Sequence, residues 1–168
     1  MNTLTIDIRR AEATDAEAIA AVHLEAWRGA YCGIIPHRAL NGMINRRGPG
    51  WWANAVRRAA MILVIDVGGT VAGYATLGRN RSRDLKQQGE IYELYIKPEY
   101  QGLGLGSRLF KAARQRLNAH HFKGLVVWAL EENENALAFY QGVGGRDVAE
   151  GVEVFDHKAL KKVAFVWD

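Results

Sequence analysis

The sequence predicts an α/β domain in which helices flank a mixed, twisted β-sheet. Strand-like and helix-like segments interleave in the order β, α, α, β, β, β, α, β, α, β, β, as expected when helices pack on a sheet. Two of the strand-like runs, separated only by Gly68-Gly69, read as a hairpin. The length of 168 residues fits one domain over 1–168 and leaves little room for two. At this size roughly 70% of the unfolded surface is buried, enough for a core without staples.

Each element has its own signal. Leu4, Ile6 and Ile8 alternate with polar residues, which marks a half-buried strand. Thr14 and Glu17 have the spacing of a capping box, and Ile19, Val22, Ala26 and Ala30 follow at helical spacing. Cys32-Gly33 ends that helix. Residues 36–60 read as irregular helix, opened by Pro36 and interrupted by Gly42, Gly48, Pro49 and Gly50. Strands at 61–66 and 70–77 make the hairpin, and a polar, mostly basic loop fills 79–89. A strand at 91–96 is closed by Lys97-Pro98. The glycine-rich turn 102–106 opens a helix whose apolar face carries Leu105, Leu109, Ala113 and Leu117. The apolar strand Leu125–Leu130 precedes a short helix at 133–141, stopped by glycines. Two strands are expected near 146–149 and 163–167.

Composition narrows the class. At 49% hydrophobic and 24% charged residues the chain is ordinary globular protein, which excludes disordered and collagen-like classes. A single cysteine, Cys32, excludes an internal disulfide and a cysteine-built zinc site, and it reads as inert packing. The net charge of +4 favours an anionic ligand and is too small to argue for nucleic acid. Residues 1–10 lack the apolar stretch of a signal peptide. The longest apolar run, 61–65, falls far short of the roughly 18 residues that a membrane span needs. A soluble cytoplasmic protein is the expectation.

The stretch from Ile91 to Gly106 is the most informative. Gly102, Gly104 and Gly106 stand at alternate positions, so the backbone turns tightly and can approach a ligand. The helix that begins there offers unpaired N–H groups and a partial positive charge, an anion site suited to phosphate or pyrophosphate. A P-loop reading fails because no lysine stands between Gly106 and Ser107. A dinucleotide fingerprint fits Gly102 and Gly104 but meets Ser107 at its third glycine. A loop that merely turns a corner is the bland alternative.

Gln101, Gly104 and Gly106 resemble in full the Q/R-x-x-G-x-G/A motif of the GNAT N-acetyltransferases, and Leu94-Tyr95-Ile96-Lys97-Pro98 resembles that family's lead-in. Asn133, Ala136, Phe139 and Tyr140 resemble its second signature, one strand later. Alone, that segment would be a capped helix with a buried tyrosine. The resemblance implies a GNAT fold, acetyl-CoA as acyl donor and an amine acceptor. It implies that Gln101, Gly102, Leu103, Gly104, Leu105, Gly106 and Ser107 form the pyrophosphate turn. Leu94, Tyr95 and Ile96 would pair with the pantetheine arm as a peptide adds to a sheet, and Asn133 would contact the same arm. A backbone N–H near Tyr95 or Ile96 would stabilise the oxyanion. Tyr140 would protonate the leaving thiolate, which a phenol protonated at neutral pH is able to do. Two departures stand out: Gly144-Gly145 where many members have Gly-Phe, and Trp128 where the ribosomal-protein acetyltransferases carry a glutamate base.

The base is sought among carboxylates on the central strand. Glu90 and Glu93 are three apart and in a regular strand face opposite sides. The register to Gln101 matches Glu90 to the base of the histone acetyltransferase branch, so Glu90 ranks first and Glu93 second; either also reads as a solvated strand-end charge. His23, Trp27 and Tyr31 recur every four residues in the region that lines the acceptor pocket in the family. Trp27 and Tyr31 are the acceptor-binding candidates, with core packing as the alternative. Arg108, Lys111, Arg114, Arg116 and Lys123 on one side, and Arg79, Arg81, Arg83 and Lys86 on the other, are read as gathering charge around the glycine turn, where one or two would meet the CoA 3′-phosphate. The expected partner is a small-molecule, peptide or protein amine, without nucleic acid, membrane or metal; a homodimer stays open. A non-catalytic acyl-CoA-binding module of the same fold is the alternative function.

Overall fold

The computed structural model describes residues 4–168; residues 1–3 of the N-terminal stretch read above lie outside it. In chain order the elements are β1 (Ile6–Arg10), α1 (Ala16–Tyr31), α2 (His37–Arg46), α3 (Pro49–Arg57), β2 (Met61–Val67), β3 (Thr70–Arg79), β4 (Gly89–Ile96), α4 (Leu105–Ala119), β5 (Leu125–Leu130), α5 (Glu134–Gly142), β6 (Arg146–Phe155) and β7 (Lys158–Trp167). The strands form one sheet in the order β1-β2-β3-β4-β5-β7-β6. Neighbours are antiparallel except β4 and β5, so the sheet is mixed, as expected.

The pleat sorts the core into two layers. Leu63 and Ile65 of β2 pack with Leu105, Leu109 and Leu117 of α4. Their neighbours Ile62 and Val64 pack on the other face with Ile19 and Val22 of α1 and Trp52 of α3. A third cluster joins Trp27 of α1 and Leu40 and Ile44 of α2 to Leu130, Phe155 and Leu160 of the C-terminal strands. Helices α1 to α3 therefore cover one face, and α4 and α5 cover the other.

Four local expectations are corrected. Residues 36–60 hold two helices, because extended Gly48 and Pro49 in the first turn start α3 afresh after α2 ends. Thr14 and Glu17 make no capping box. Arg9 donates to both oxygens of Asp15, at 2.7 and 3.0 Å, and the carboxylate so fixed accepts from the Glu12 N–H at 2.8 Å. The strands expected at 146–149 and 163–167 are the ends of ten-residue strands, whose polar, charged outer halves hide the apolar alternation. Cys32, just past the end of α1, is exposed rather than packed into the core.

Gly145 gains a reason. A Cβ built there would lie 2.7 Å from Trp167 Cζ2 and 2.8 Å from the Tyr140 carbonyl oxygen. Trp167, from the last strand, fills the space, and its Nε1 donates to the Val143 carbonyl at 3.0 Å. Because one of the obstacles is backbone, Gly145→Ala is expected to destabilise the fold by about 1–3 kcal/mol, read as a lowered urea midpoint.

Candidate active site

The central strand is irregular where it matters. Thr76 of β3 pairs with Glu93 and the next residue, Leu77, pairs with Ile91, so Tyr92 is an extra residue in β4. This bulge resets the alternation. Ile91, Leu94 and Ile96 face the α4 layer, whereas Glu90, Tyr92, Glu93 and Tyr95 all line one cavity on the α1 face. The expectation that Glu90 and Glu93 face opposite sides is thus corrected.

That cavity has a volume of about 460 Å³, within the range typical of small-molecule sites, and a wall that mixes aromatic rings with charged side chains. Trp27 and Tyr31 line it, as the sequence proposed for the acceptor side. His23 does not. It is buried, its Nδ1 lies 3.0 Å from the Tyr74 hydroxyl, and its ring centre lies 4.6 Å from that of Trp27, the planes tilted by 48°. Burial first, and then the charge of Arg47, push its pKa down to about 4, so it is a neutral core histidine.

Both carboxylates are held by arginines. Arg47, the residue that follows α2, donates to Glu93 from beside the faces of Trp51, Trp52 and Trp27, and Thr76 Oγ1 donates at 3.3 Å. Burial pushes the Glu93 carboxyl above the usual range, and Arg47 partly opposes it. Glu90 is also buried. It accepts from the Arg81 backbone N–H at 3.0 Å and from Arg81 Nη2 at 2.9 Å. Arg81 in turn lies 4.1 Å over the Tyr92 ring. Sequence reasoning missed Arg47, Trp51, Trp52, Thr76 and Lys162 in this wall. A tryptophan pair two residues after a helix-opening proline was the available signal.

At the other side of the cavity the phenols meet. Tyr31 and Tyr95 hydroxyls are hydrogen-bonded at 2.5 Å. The Asn133 side chain, which also caps α5 by accepting from the Ala136 N–H at 3.3 Å, lies beside Tyr31. Tyr140 sits in the α4 layer between Phe165 and Trp167. Its hydroxyl makes no hydrogen bond among the described residues. Burial, followed by the nearby Tyr31, holds this phenol well above its ordinary pKa.

Between these groups the sheet opens. β4 and β5 pair only at Gly89–Leu125 and Glu90–Val126, so the β5-facing edge of Leu94, Tyr95 and Ile96 has no strand partner. The turn follows at that end. Gly102 and Gly104 have φ of +80° and +78°, the left-handed region that glycine enters freely. No N–H from Gly102 to Ser107 donates in the turn hydrogen bonds of the described residues. Leu103 is exposed, while Leu105 is buried and roots the turn in the core. Gln101 spends its side chain on the turn, donating to the Ile96 carbonyl at 2.9 Å. An unpaired strand edge leading into a nest of free N–H groups fits an extended ligand with a pyrophosphate at one end.

The charge expectation is corrected in part. The 79–89 loop lies at the other end of β4 from the glycine turn, and its Arg81 lines the cavity on the α1 face. Of the basic residues named, Arg108 and Lys111 in the first turns of α4 are those next to the glycines.

A splayed mixed sheet, a turn of free N–H groups at its opening and a carboxylate-bearing cavity beside it together form one candidate site. The Acetyltransferase (GNAT) family model matches residues 24–144. The chain is 31% identical to an uncharacterized N-acetyltransferase, YuaI, of Bacillus subtilis (strain 168), over 96% of this chain and 92% of that protein. Its fold is similar to that of the PaiA N-acetyltransferase from Thermoplasma acidophilum, solved in complex with coenzyme A, with a TM-score of 0.76 at 20% identity over 94% of this chain and 98% of that one. It is also similar to the yncA protein from Salmonella typhimurium, solved with acetyl-CoA, with a TM-score of 0.71 at 21% identity over 96% and 92%. The chain belongs to the GNAT acetyltransferase family and is an N-acetyltransferase. Among the described residues no helix is long and apolar enough to cross a membrane.

Proposed function

We propose that this protein acetylates a primary amine by direct attack within a ternary complex, with acetyl-CoA as the donor. The observation that carries the reading is the parting of β4 from β5 beside the free N–H groups of residues 102–107. Acetyl-CoA, when bound, supplies the acetyl group as a thioester. The turn from Gly102 to Ser107 binds pyrophosphate through its N–H groups. The free edge of Leu94 to Ile96 binds the pantetheine arm by strand addition, with Asn133 alongside. A backbone N–H at Tyr95 or Ile96 polarises the acyl oxygen.

Glu93, rather than Glu90, receives the proton of the attacking amine. Burial raises its carboxyl above the usual range, the direction that suits a general base, and Glu90 is tied to the backbone of its own loop. Tyr140 donates to the departing sulfur.

Calorimetric titration with acetyl-CoA is expected to show saturable binding. Gly104→Val places a β-branched residue at a positive φ and is expected to weaken that binding about ten-fold or more. A heat trace without binding at millimolar acetyl-CoA would sink the reading. Thiol release across an amine panel then measures transfer.

A further inference from the structure

The two arginine–carboxylate pairs of the cavity are built differently. Arg81 meets Glu90 through its backbone N–H at 3.0 Å, through Nε at 3.4 Å and through Nη2 at 2.9 Å. Arg47 meets Glu93 through Nη1, its one side-chain hydrogen bond among the described residues. The rest of its guanidinium lies against rings, 4.6 Å from the centre of Trp51, 5.8 Å from Trp52 and 5.9 Å from Trp27. Three indoles and a buried carboxylate make a cage for a cation, and the chain's own side chain sits in it. That side chain is 31% exposed, against 10% for Glu93. It projects from the break between α2 and α3, with extended Gly48 next in the chain. Turning it outward breaks one hydrogen bond and no helix.

We infer that Arg47 holds the acceptor's place: the acceptor enters as an ammonium, turns the guanidinium out to solvent and takes its seat against Glu93 among Trp27, Trp51 and Trp52. This step rests on the transferase reading above, with Glu93 as the base. The exchange requires a cation. Removing one partner of a buried ion pair strands the other charge at heavy cost, so a neutral group is a poor substitute for Arg47. An ammonium replaces the guanidinium charge for charge. The other charged side chains of the wall, Arg81, Glu90, Glu153 and Lys162, are two of each sign, so the exchange leaves the balance of the cavity as it was. The indole faces serve either cation. Arg47 is thus a specificity-determining residue. It admits amines that are protonated at neutral pH in preference to weakly basic ones, and each acceptor binds against its competition.

Butylguanidinium, a cation without an acceptor amine, probes the seat through tryptophan emission. A saturable change is expected in wild type and in Arg47→Gln, with the half-point about ten-fold lower in the variant. The neutral isostere butylurea is expected to give none over the same range. Arg47→Lys, which keeps the charge without the planar fork, is expected to fall between the two. Kinetics with hexylamine supply a second readout, because kcat/KM reports the free enzyme and kcat the complex. In Arg47→Gln the acid limb of kcat/KM is expected to move to higher pH while that of kcat stays, since in bound wild type the amine has already displaced the guanidinium. The other groups that bear on Glu93, Thr76 by hydrogen bond and Arg81 by charge, are the same in both enzymes. Equal half-points in wild type and Arg47→Gln, an equal response to butylurea, or equal movement of both limbs would overturn this inference and leave acetyl transfer standing. Absence of acetyl-CoA binding in the calorimetric titration would overturn the transferase reading, and this step with it, even where butylguanidinium binds.

Discussion

Glu93→Gln is expected to lower kcat/KM for the amine by on the order of 10²–10³-fold while acetyl-CoA affinity holds. Glutamine keeps the shape and an acceptor oxygen for Thr76 but takes no proton. The same carboxylate should set the acid limb of the pH profile. Burial raises its pKa and the Arg47 charge and hydrogen bond lower it. The base works only when ionised, so activity climbs as pH rises through that raised value. Arg47→Gln removes the strongest of the groups that favour ionisation and leaves Thr76, and the acid limb then moves to higher pH. That displacement separates a tuned base from a merely structural carboxylate, whose loss would lower activity evenly across pH. If Glu90→Gln is crippled and Glu93→Gln is not, the base is Glu90.

Much of the fold and part of the candidate site were readable in the chain, for physical reasons that differ by residue. The glycine turn was legible because positive φ restricts residue choice at Gly102 and Gly104. Asn133 was legible as a cap because few residues accept from an N–H two or three places on. The β4 bulge was not. A bulge inserts one residue without altering the local composition, so Tyr92 looks like any strand residue until β3 is laid beside it. The faces of Glu90 and Glu93 were therefore misjudged. Arg47 and Lys162 were hidden for another reason: each reaches the cavity from a distant segment, through a helix break and through the C-terminal hairpin. Long-range packing of this sort leaves no local period. The basic loop at 79–89 misled because nearness in sequence to the glycine turn is not nearness across an eight-residue strand.

Tyr140→Phe is the second large effect, an expected fall in kcat of about 10²-fold with stability changed by less than about 1 kcal/mol. Phenylalanine preserves the ring contacts with Phe110, Phe165 and Trp167. The lost hydroxyl has no hydrogen-bond partner among the described residues, so its removal orphans nothing. A side chain retained only for packing would therefore tolerate the change, and a proton donor would not. The pH dependence sharpens the distinction. Burial and Tyr31 hold the phenol well above its ordinary range, so it stays protonated across about pH 6 to 9. The deficit of Tyr140→Phe should be constant over that interval, whereas Arg47→Gln changes the profile's shape. Should turnover survive in Tyr140→Phe and collapse in Tyr31→Phe, the proton comes from the Tyr31–Tyr95 pair, which faces the cavity rather than the α4 layer.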